Sequence, residues 1–241
     1  MRIPRVYDNQ PLKEGTEICL GDFAAQHLGR VLRMQIGDSL ILFNGQGGEY
    51  TAVITSVTKK QLSVRVGQFQ NAVADSALMI HLGQGLSRGE RMDYAVQKAT
   101  ELGVQQLTPL FTERSEVRLK ADRLHKRTQH WQQVAVSASE QSLRCTVPEI
   151  QSAEPLKDWI SQVPGDLKLV LDPRSPHPLS SFEAPESVAL LIGPEGGLSD
   201  DEVKLARGQG FLPISLGPRI LRTETAPVVA LSLLQYLWGD I

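Results

Sequence analysis

The stretch that decides the fold is LLIGPEGGLSDDE, residues 190–202. An apolar run gives way to Gly-Pro-Glu-Gly-Gly, and then to Ser199 followed three residues later by Glu202. A short apolar run bounded by a glycine loop reads as a buried strand. Ser-x-x-Glu reads as a capping box, with each side chain satisfying the other residue's backbone N–H at a helix start. Strand, loop and helix in that order are the building unit of a parallel α/β sheet. A second stretch, LGPRILRTETAP at 216–227, has the same form: apolar run, Gly-Pro, then polar residues opening a helix. In open α/β sheets ligands bind beyond the carboxyl ends of the strands. The two loops are therefore expected to build one pocket.

The same alternation extends through the second part of the chain. ALMIHLG (77–83), VQQLTPLF (104–111), KLVL (168–171), VALLI (188–192) and FLPISLG (211–217) read as strands. Between the first two lies a helix with Met92, Ala95, Val96, Ala99 and Leu102 on one face, ended by Gly103. A longer helix is expected from about Asp122 to Ser139, another from Ser199 to Gly208 or Gly210, and a last one over 227–238. Residues 1–67 follow a different grammar. TEICL, SLILFN, YTAVIT and QLSVRV are short β-like runs separated by turns such as NGQGG. One helix interrupts them, capped by Asp22, with Ala24, Ala25, Leu28, Val31 and Leu32 as its apolar stripe. Several short strands with one helix suggest a small β-barrel. The polar stretch QFQNAVADS (68–76) divides the chain into 1–70 and 74–241.

Composition narrows the classes. The 241 residues are 41% apolar, enough for a real core, and formal net charge is −2. No whole-protein basic signature marks nucleic-acid binding, so any such surface must be local. Residues 1–72 carry eight Lys/Arg against six Asp/Glu, net +2, and the remainder carries net −4. Cys19 and Cys145 fit no metal or redox spacing and read as idle thiols in a reducing compartment. The N-terminus lacks a signal-peptide core, and no apolar run is long enough to span a membrane. A soluble, cytoplasmic protein with no metal is expected.

Three segments compete as sites. GQGLSRG (83–89) gives GxGxxxG rather than the dinucleotide spacing, and no ribose-binding acid follows, so it reads as a glycine-eased turn. Arg88 and Arg91 beside it suit phosphate contact. In IGPEGGLS, consecutive glycines let the backbone approach a flat ligand closely. Glu195 would repel a phosphate, and no Walker lysine follows. A neutral or cationic ligand fits better, such as adenosine carrying a sulfonium, against the plain alternative of a tight turn. In LGPRILRTETAP, Arg219 and Arg222 lie three apart and Glu224 follows, beside a helix that is apolar nearly all round. Charges beside so apolar an element must pair or bind something. An Arg222–Glu224 salt bridge is the ordinary alternative.

LLIGPEGGLSDDE, LGPRILRTETA, KATELGVQQLTPLFTERS and EQSLRCTVPEI together resemble the RsmE family, with RVLRM extending the likeness into the N-terminal part. These are SPOUT-superfamily enzymes that methylate N3 of a uridine in 16S ribosomal RNA. The resemblance implies a PUA-like β-barrel in front of a SPOUT domain whose largely parallel α/β sheet carries a trefoil knot. It implies S-adenosyl-L-methionine as cofactor, and a homodimer whose sites are completed by the other subunit. The cofactor would then be lined by Leu171, by Gly193, Pro194, Glu195, Gly196 and Gly197, and by Leu216, Gly217, Ile220, Leu221 and Ala226. Uridine N3 is a poor nucleophile while protonated, so a site needs a proton acceptor and donors for the anion. Arg222 is the expected donor and Glu224 the expected acceptor. Arg114 with Ser115, and Glu140 with Arg144, are secondary candidates. RNA contact is expected through Arg2, Arg5, Arg30, Arg33, Arg88 and Arg114, with 16S rRNA in a small-subunit particle as partner. TETA stands where 2′-O-methylating relatives carry a Ser-Asn-Ser-like motif, which argues against ribose as acceptor. A 2′-O or tRNA methyltransferase, and a non-catalytic RNA-binding assembly factor, are the competing readings.

Overall fold

The computed structural model describes residues 3–58, 61–71, 75–116, 121–175, 177 and 179–241. Arg2 lies outside the described residues. The chain divides into two compact units, Met1–Asp75 with Ser139–Val147, and Ser76–Ala138 with Pro148–Ile241.

The first unit holds β1 (Arg5–Tyr7), β2 (Glu17–Cys19), α1 (Asp22–Gln26), β3 (Ser39–Phe43), β4 (Glu49–Val57) and β5 (Leu62–Gln70). The strands form one sheet in the order β1-β3-β4-β5-β2. Only β1 and β3 run parallel; the other pairs are antiparallel. The alternation in QLSVRV does what its period dictates: Leu62, Val64 and Val66 are buried, against Leu40, Leu42, Ala52 and Ile54 from the paired strands. The helix departs from its expected stripe. After α1 the backbone widens into a π turn, His27–Val31, with the Leu32 N–H donating to the His27 carbonyl five residues back. That extra residue per turn breaks the 3.6 period. Ala24 and Leu28 stay buried, while Val31 and Leu32 are exposed.

The second unit is a parallel sheet. Its strands are β6 (Met79–Gly85), β7 (Gln106–Phe111), β8 (Glu149–Ile150), β9 (Glu154–Pro155), β10 (Leu167–Leu171), β11 (Ser187–Ile192) and β12 (Leu212–Ile214). The order is β12-β10-β11-β6-β7-β8, with β9 also pairing β7, and every pairing is parallel. Parallel strands are buried on both faces, and β11 shows it: Val188 to Ile192 are all buried. The helices are α2 (Glu90–Glu101), α3 (Ala121–Ser142), α4 (Leu156–Gln162), α5 (Asp200–Gly208) and α6 (Thr225–Trp238). The capping box forms as expected, with Ser199 accepting from the Glu202 N–H and Glu202 from the Ser199 N–H. The sequence reading passed over α4. Its Leu156, Trp159 and Ile160 are buried at helical spacing, and Trp159 packs with Phe211 and Leu191. No helix among the described residues is long and apolar enough to cross a membrane.

The strand order matters for function. β12, β10, β11 and β6 are successive neighbours, so the segments leaving their carboxyl ends lie side by side. Those segments begin at Ser215, Asp172, Gly193 and Leu86.

Candidate active site

Those carboxyl ends enclose a cavity of about 630 Å³ within the second unit. Every residue expected around the cofactor lines it. Leu171 comes from the end of β10, and residues 193–197 form the turn after β11. Leu216, Gly217, Ile220 and Leu221 follow β12, and Ala226 sits in the first turn of α6. The loop after β11 is a closed turn: the Gly197 N–H donates to the Pro194 carbonyl at 2.8 Å. Gly197 and Gly217 have φ of +68° and +92°, a region that side chains rarely adopt, and no atom lies within 4 Å of where their Cβ atoms would stand. Both therefore leave cavity space that any other residue would fill.

The two Gly-Pro loops are fastened together by buried hydroxyls. Thr223 donates from Oγ1 to the Gly193 carbonyl at 3.1 Å and meets Ser87 Oγ at 3.1 Å. Gln84, fully buried at the end of β6, donates from Nε2 to Thr223 Oγ1 at 3.3 Å and to the Gly193 carbonyl at 3.4 Å. Thr223 is thus an anchor between the two charged residues expected to act. Arg222 and Glu224 on either side of it both line the cavity. No local sequence pattern singles out Thr223 or Gln84 for this role.

No ion pair joins Arg222 to Glu224 among the described residues. Glu224 instead faces Arg91 of α2, with Oε2 3.8 Å from Arg91 Nε, and this oxygen is buried without a hydrogen-bond partner. Arg222 is exposed. Arg91 also binds Glu195 at 2.9 Å, and the Arg88 N–H donates to the same Glu195 oxygen at 2.9 Å. Burial pushes the Glu195 carboxyl up, but the Arg88 N–H, its own backbone N–H and the Arg91 guanidinium together outweigh it and hold it below the ordinary carboxylate value of 4.5. Glu195, expected from sequence to repel phosphate and to line the cofactor, also fastens its loop to the start of α2.

Also in the lining, Arg174 bridges two acids, Asp172 at 3.0 Å and Asp200 at 2.5 Å. Burial acts to raise Asp172, and the Arg174 contacts more than reverse it. The sequence reading missed this bridge, whose partners come from two elements. Arg114 donates to the carbonyls of Gly196 at 3.2 Å and Leu198 at 3.3 Å, gripping the loop from the end of β7. These bonds commit Nη1 to the cavity wall, and the residue is exposed. Arg88 is exposed and paired with Glu116 at 2.8 Å.

The arginines of the first unit separate into two kinds. Arg30 and Arg33 are exposed. Arg5 departs from its expected role, since its side chain is only 7% exposed. Nε pairs with Glu49 at 2.9 Å, and the two terminal nitrogens donate to the Ser139, Glu140 and Arg144 carbonyls and to Cys145 Sγ. A guanidinium so committed has no donors left for phosphate. The Glu140 and Arg144 pair is likewise built into this unit. Glu140 accepts from the Tyr7 N–H, its carboxyl is pushed up by burial, and Arg144 pairs with Asp75 at 3.4 Å.

Residues 74–235 match the model of an RNA methyltransferase domain, and residues 24–67 that of an RNA methyltransferase PUA domain. The chain is 36% identical to the ribosomal RNA small subunit methyltransferase E of Buchnera aphidicola subsp. Schizaphis graminum, over all of this chain and 98% of the relative. It is 32% identical to that of Bacillus subtilis, over 94% and 93% of the two chains. Among solved structures, a Legionella pneumophila protein in complex with the bound cofactor SAM superposes with a TM-score of 0.97 at 43% identity over both whole chains. The Neisseria gonorrhoeae ribosomal RNA small subunit methyltransferase E, bound to S-adenosyl methionine, superposes at 0.93 with 35% identity, again over both whole chains. The chain belongs to the family of ribosomal RNA small subunit methyltransferase E, with an RNA methyltransferase domain behind an RNA methyltransferase PUA domain.

Proposed function

We propose that this protein uses S-adenosylmethionine to methylate N3 of a uridine in 16S ribosomal RNA. The observation that carries the reading is the cavity itself. It unites both Gly-Pro loops and sets Arg222 and Glu224 on either side of an anchored Thr223. Its volume suits a single small ligand, for which pockets run from about 300 to 1,000 Å³. Its lining mixes five arginines with four acids, so no single-sign field favours a polyanion. The open space at Gly197 and Gly217 suits the flat face of an adenine, and Leu171, Ile192 and Ala226 supply an apolar wall. Residues 193–197 and 216–221 would hold the cofactor through backbone groups. When bound, the cofactor supplies an electrophilic methyl group.

The chain's own residues prepare the acceptor. Glu224, which lines the cavity, takes the proton from uridine N3. The resulting negative charge spreads over O2, N3 and O4, and Arg222 donates to it. A carboxylate and a guanidinium suit a base edge that carries one N–H between two carbonyls. A ribose hydroxyl offers no such edge. The first unit, with Arg30 and Arg33 exposed, serves as the RNA-gripping module, and binding through it weakens steeply with salt. A homodimer is supported by α6, which leaves Leu233, Tyr236 and Leu237 exposed on one chain. A trefoil knot is supported by the chain's return from the edge strand β12 to the ends of β11 and β6, where Thr223 is held.

Arg222→Ala tests the chemistry. Transfer to 16S rRNA falls by about a hundredfold or more, while calorimetry gives an unchanged affinity for S-adenosylmethionine. Unchanged turnover discards the role of Arg222. Mass spectrometry of the modified nucleoside assigns the methyl, and a 2′-O-methylated or tRNA product overturns the uridine-N3 reading.

A further inference from the structure

We propose that Arg91 is a positioning residue that acts through Glu224, clamping the acceptor loop to the cofactor loop. The proposal rests on the reading of Glu224 as the proton acceptor. Arg91 lies in the first turn of α2 and reaches two acids from two different loops. Its Nη1 binds Glu195 Oε1 at 2.9 Å, in the turn after β11. Its Nε faces Glu224 Oε2 at 3.8 Å, at the start of α6. No other charged partner of Glu224 is present among the described residues. The guanidinium is itself held in place: Glu195 also accepts from the Arg88 N–H, so the Arg91–Glu195 pair cannot swing freely.

The geometry gives Arg91 a job distinct from binding RNA. A buried carboxylate oxygen without a hydrogen bond is costly, and the Arg91 guanidinium is the charge that faces it, 3.8 Å away. The gap of 3.8 Å is too long for a hydrogen bond and short enough for Coulomb attraction. Holding Oε2 inward fixes the direction in which the rest of the Glu224 carboxylate faces the cavity. Meanwhile the pair to Glu195 fixes where the whole carboxylate–guanidinium–carboxylate chain sits relative to the cofactor turn. With Arg91 46% exposed and Glu224 21% exposed, the clamp stands at the cavity mouth, where it can be altered without opening the core.

The test is a double-mutant cycle with kcat, KM for RNA and Kd for S-adenosylmethionine measured on Arg91→Ala, Arg91→Lys, Glu224→Gln and the double variant Arg91→Ala/Glu224→Gln. Displacing a catalytic group costs up to about a hundredfold in rate, and Arg91→Ala is expected to lower kcat about tenfold with KM changed less than about threefold. Arg91→Lys keeps the charge and recovers most of the rate. In the Glu224→Gln background, Arg91→Ala brings less than about a twofold further fall, because both changes act through one carboxylate. Additive losses, or a raised KM with kcat intact, overturn the clamp and place Arg91 on the RNA instead. Full kcat in Glu224→Gln overturns the underlying reading, and the clamp with it.

Discussion

Replacing Thr223 with Val is the most direct probe of how the site is assembled. The two side chains have nearly the same shape, so no cavity opens and only the hydroxyl is lost. That hydroxyl makes three contacts: to the Gly193 carbonyl at 3.1 Å, to Ser87 Oγ at 3.1 Å, and from Gln84 Nε2 at 3.3 Å. None of the three partners is orphaned by its loss. Gln84 keeps the Gly85 and Gly193 carbonyls, Ser87 keeps the Gly85 carbonyl, and Gly193 keeps Gln84. The cost is therefore the net value of the lost bonds, each about 0.5–1.5 kcal/mol, rather than the larger penalty of bare buried groups. Since all three are long, about 2 kcal/mol in total is expected. The three tryptophans, Trp131, Trp159 and Trp238, all lie in the second unit, so their fluorescence reports that unit's unfolding. With a urea slope of about 2 kcal/mol per molar, the midpoint falls by about 1 M. Thr223→Ser keeps the hydroxyl and stays within about 1 kcal/mol of the parent. A Val variant whose midpoint matches the parent refutes the idea that this hydroxyl holds the two loops together.

Three further outcomes follow from the same geometry. Gly85→Ala would set a Cβ 2.4 Å from the Pro194 backbone nitrogen, where nothing flexible can yield; it should cost about 1–3 kcal/mol and weaken S-adenosylmethionine binding in calorimetry. Glu195 is held below its ordinary value of 4.5, so the folded chain binds this proton less readily than the unfolded one. Its contribution is whole above that value and is lost as pH falls through the lower folded value; urea midpoints measured from pH 6 down to pH 3 should fall less steeply in Glu195→Gln. Arg5→Met leaves Glu49 and three carbonyls without their donor, and should cost about 3 kcal/mol, seen as faster hydrogen exchange in β1 and β3. An Arg5→Met protein that folds normally and loses only RNA affinity would restore the phosphate-contact reading of this residue.

Periodicity carried much of the fold. QLSVRV alternates and buries every second residue, and α2 buries Met92, Ala95, Val96 and Ala99 as its stripe requires. What failed were features that local pattern does not encode. The π turn at His27–Val31 leaves no mark in the sequence, and it turns Val31 and Leu32 outward. Arg5 looked like any N-terminal arginine because its partners sit 44 residues away at Glu49 and more than a hundred away at 139–145. By contrast α4 was legible and overlooked: Pro155 precedes Leu156, Trp159 and Ile160 at the spacing of a buried helical face.

The site divides along the same line. Glycine, proline and charge are visible in one dimension, so both loops and the pair Arg222 and Glu224 could be picked out. The relation between them depends on residues whose chemistry looks ordinary in sequence. Gln84 ends an apolar strand, and its amide meets Gly193 from 109 positions away and Thr223 from 139. Burying an amide is costly; with both loops closed on it Nε2 makes its bonds and offsets part of that cost, while Oε1 is buried without a partner among the described residues. The Arg222–Glu224 salt bridge fails for a related reason. Thr223 between them is held inward by Gly193 and Ser87, and Glu224 meets an arginine from α2 rather than its near neighbour in sequence. Arg222 is thereby left exposed at the cavity with its donors uncommitted to Glu224, which is the condition an anion-stabilising group must meet before any substrate arrives.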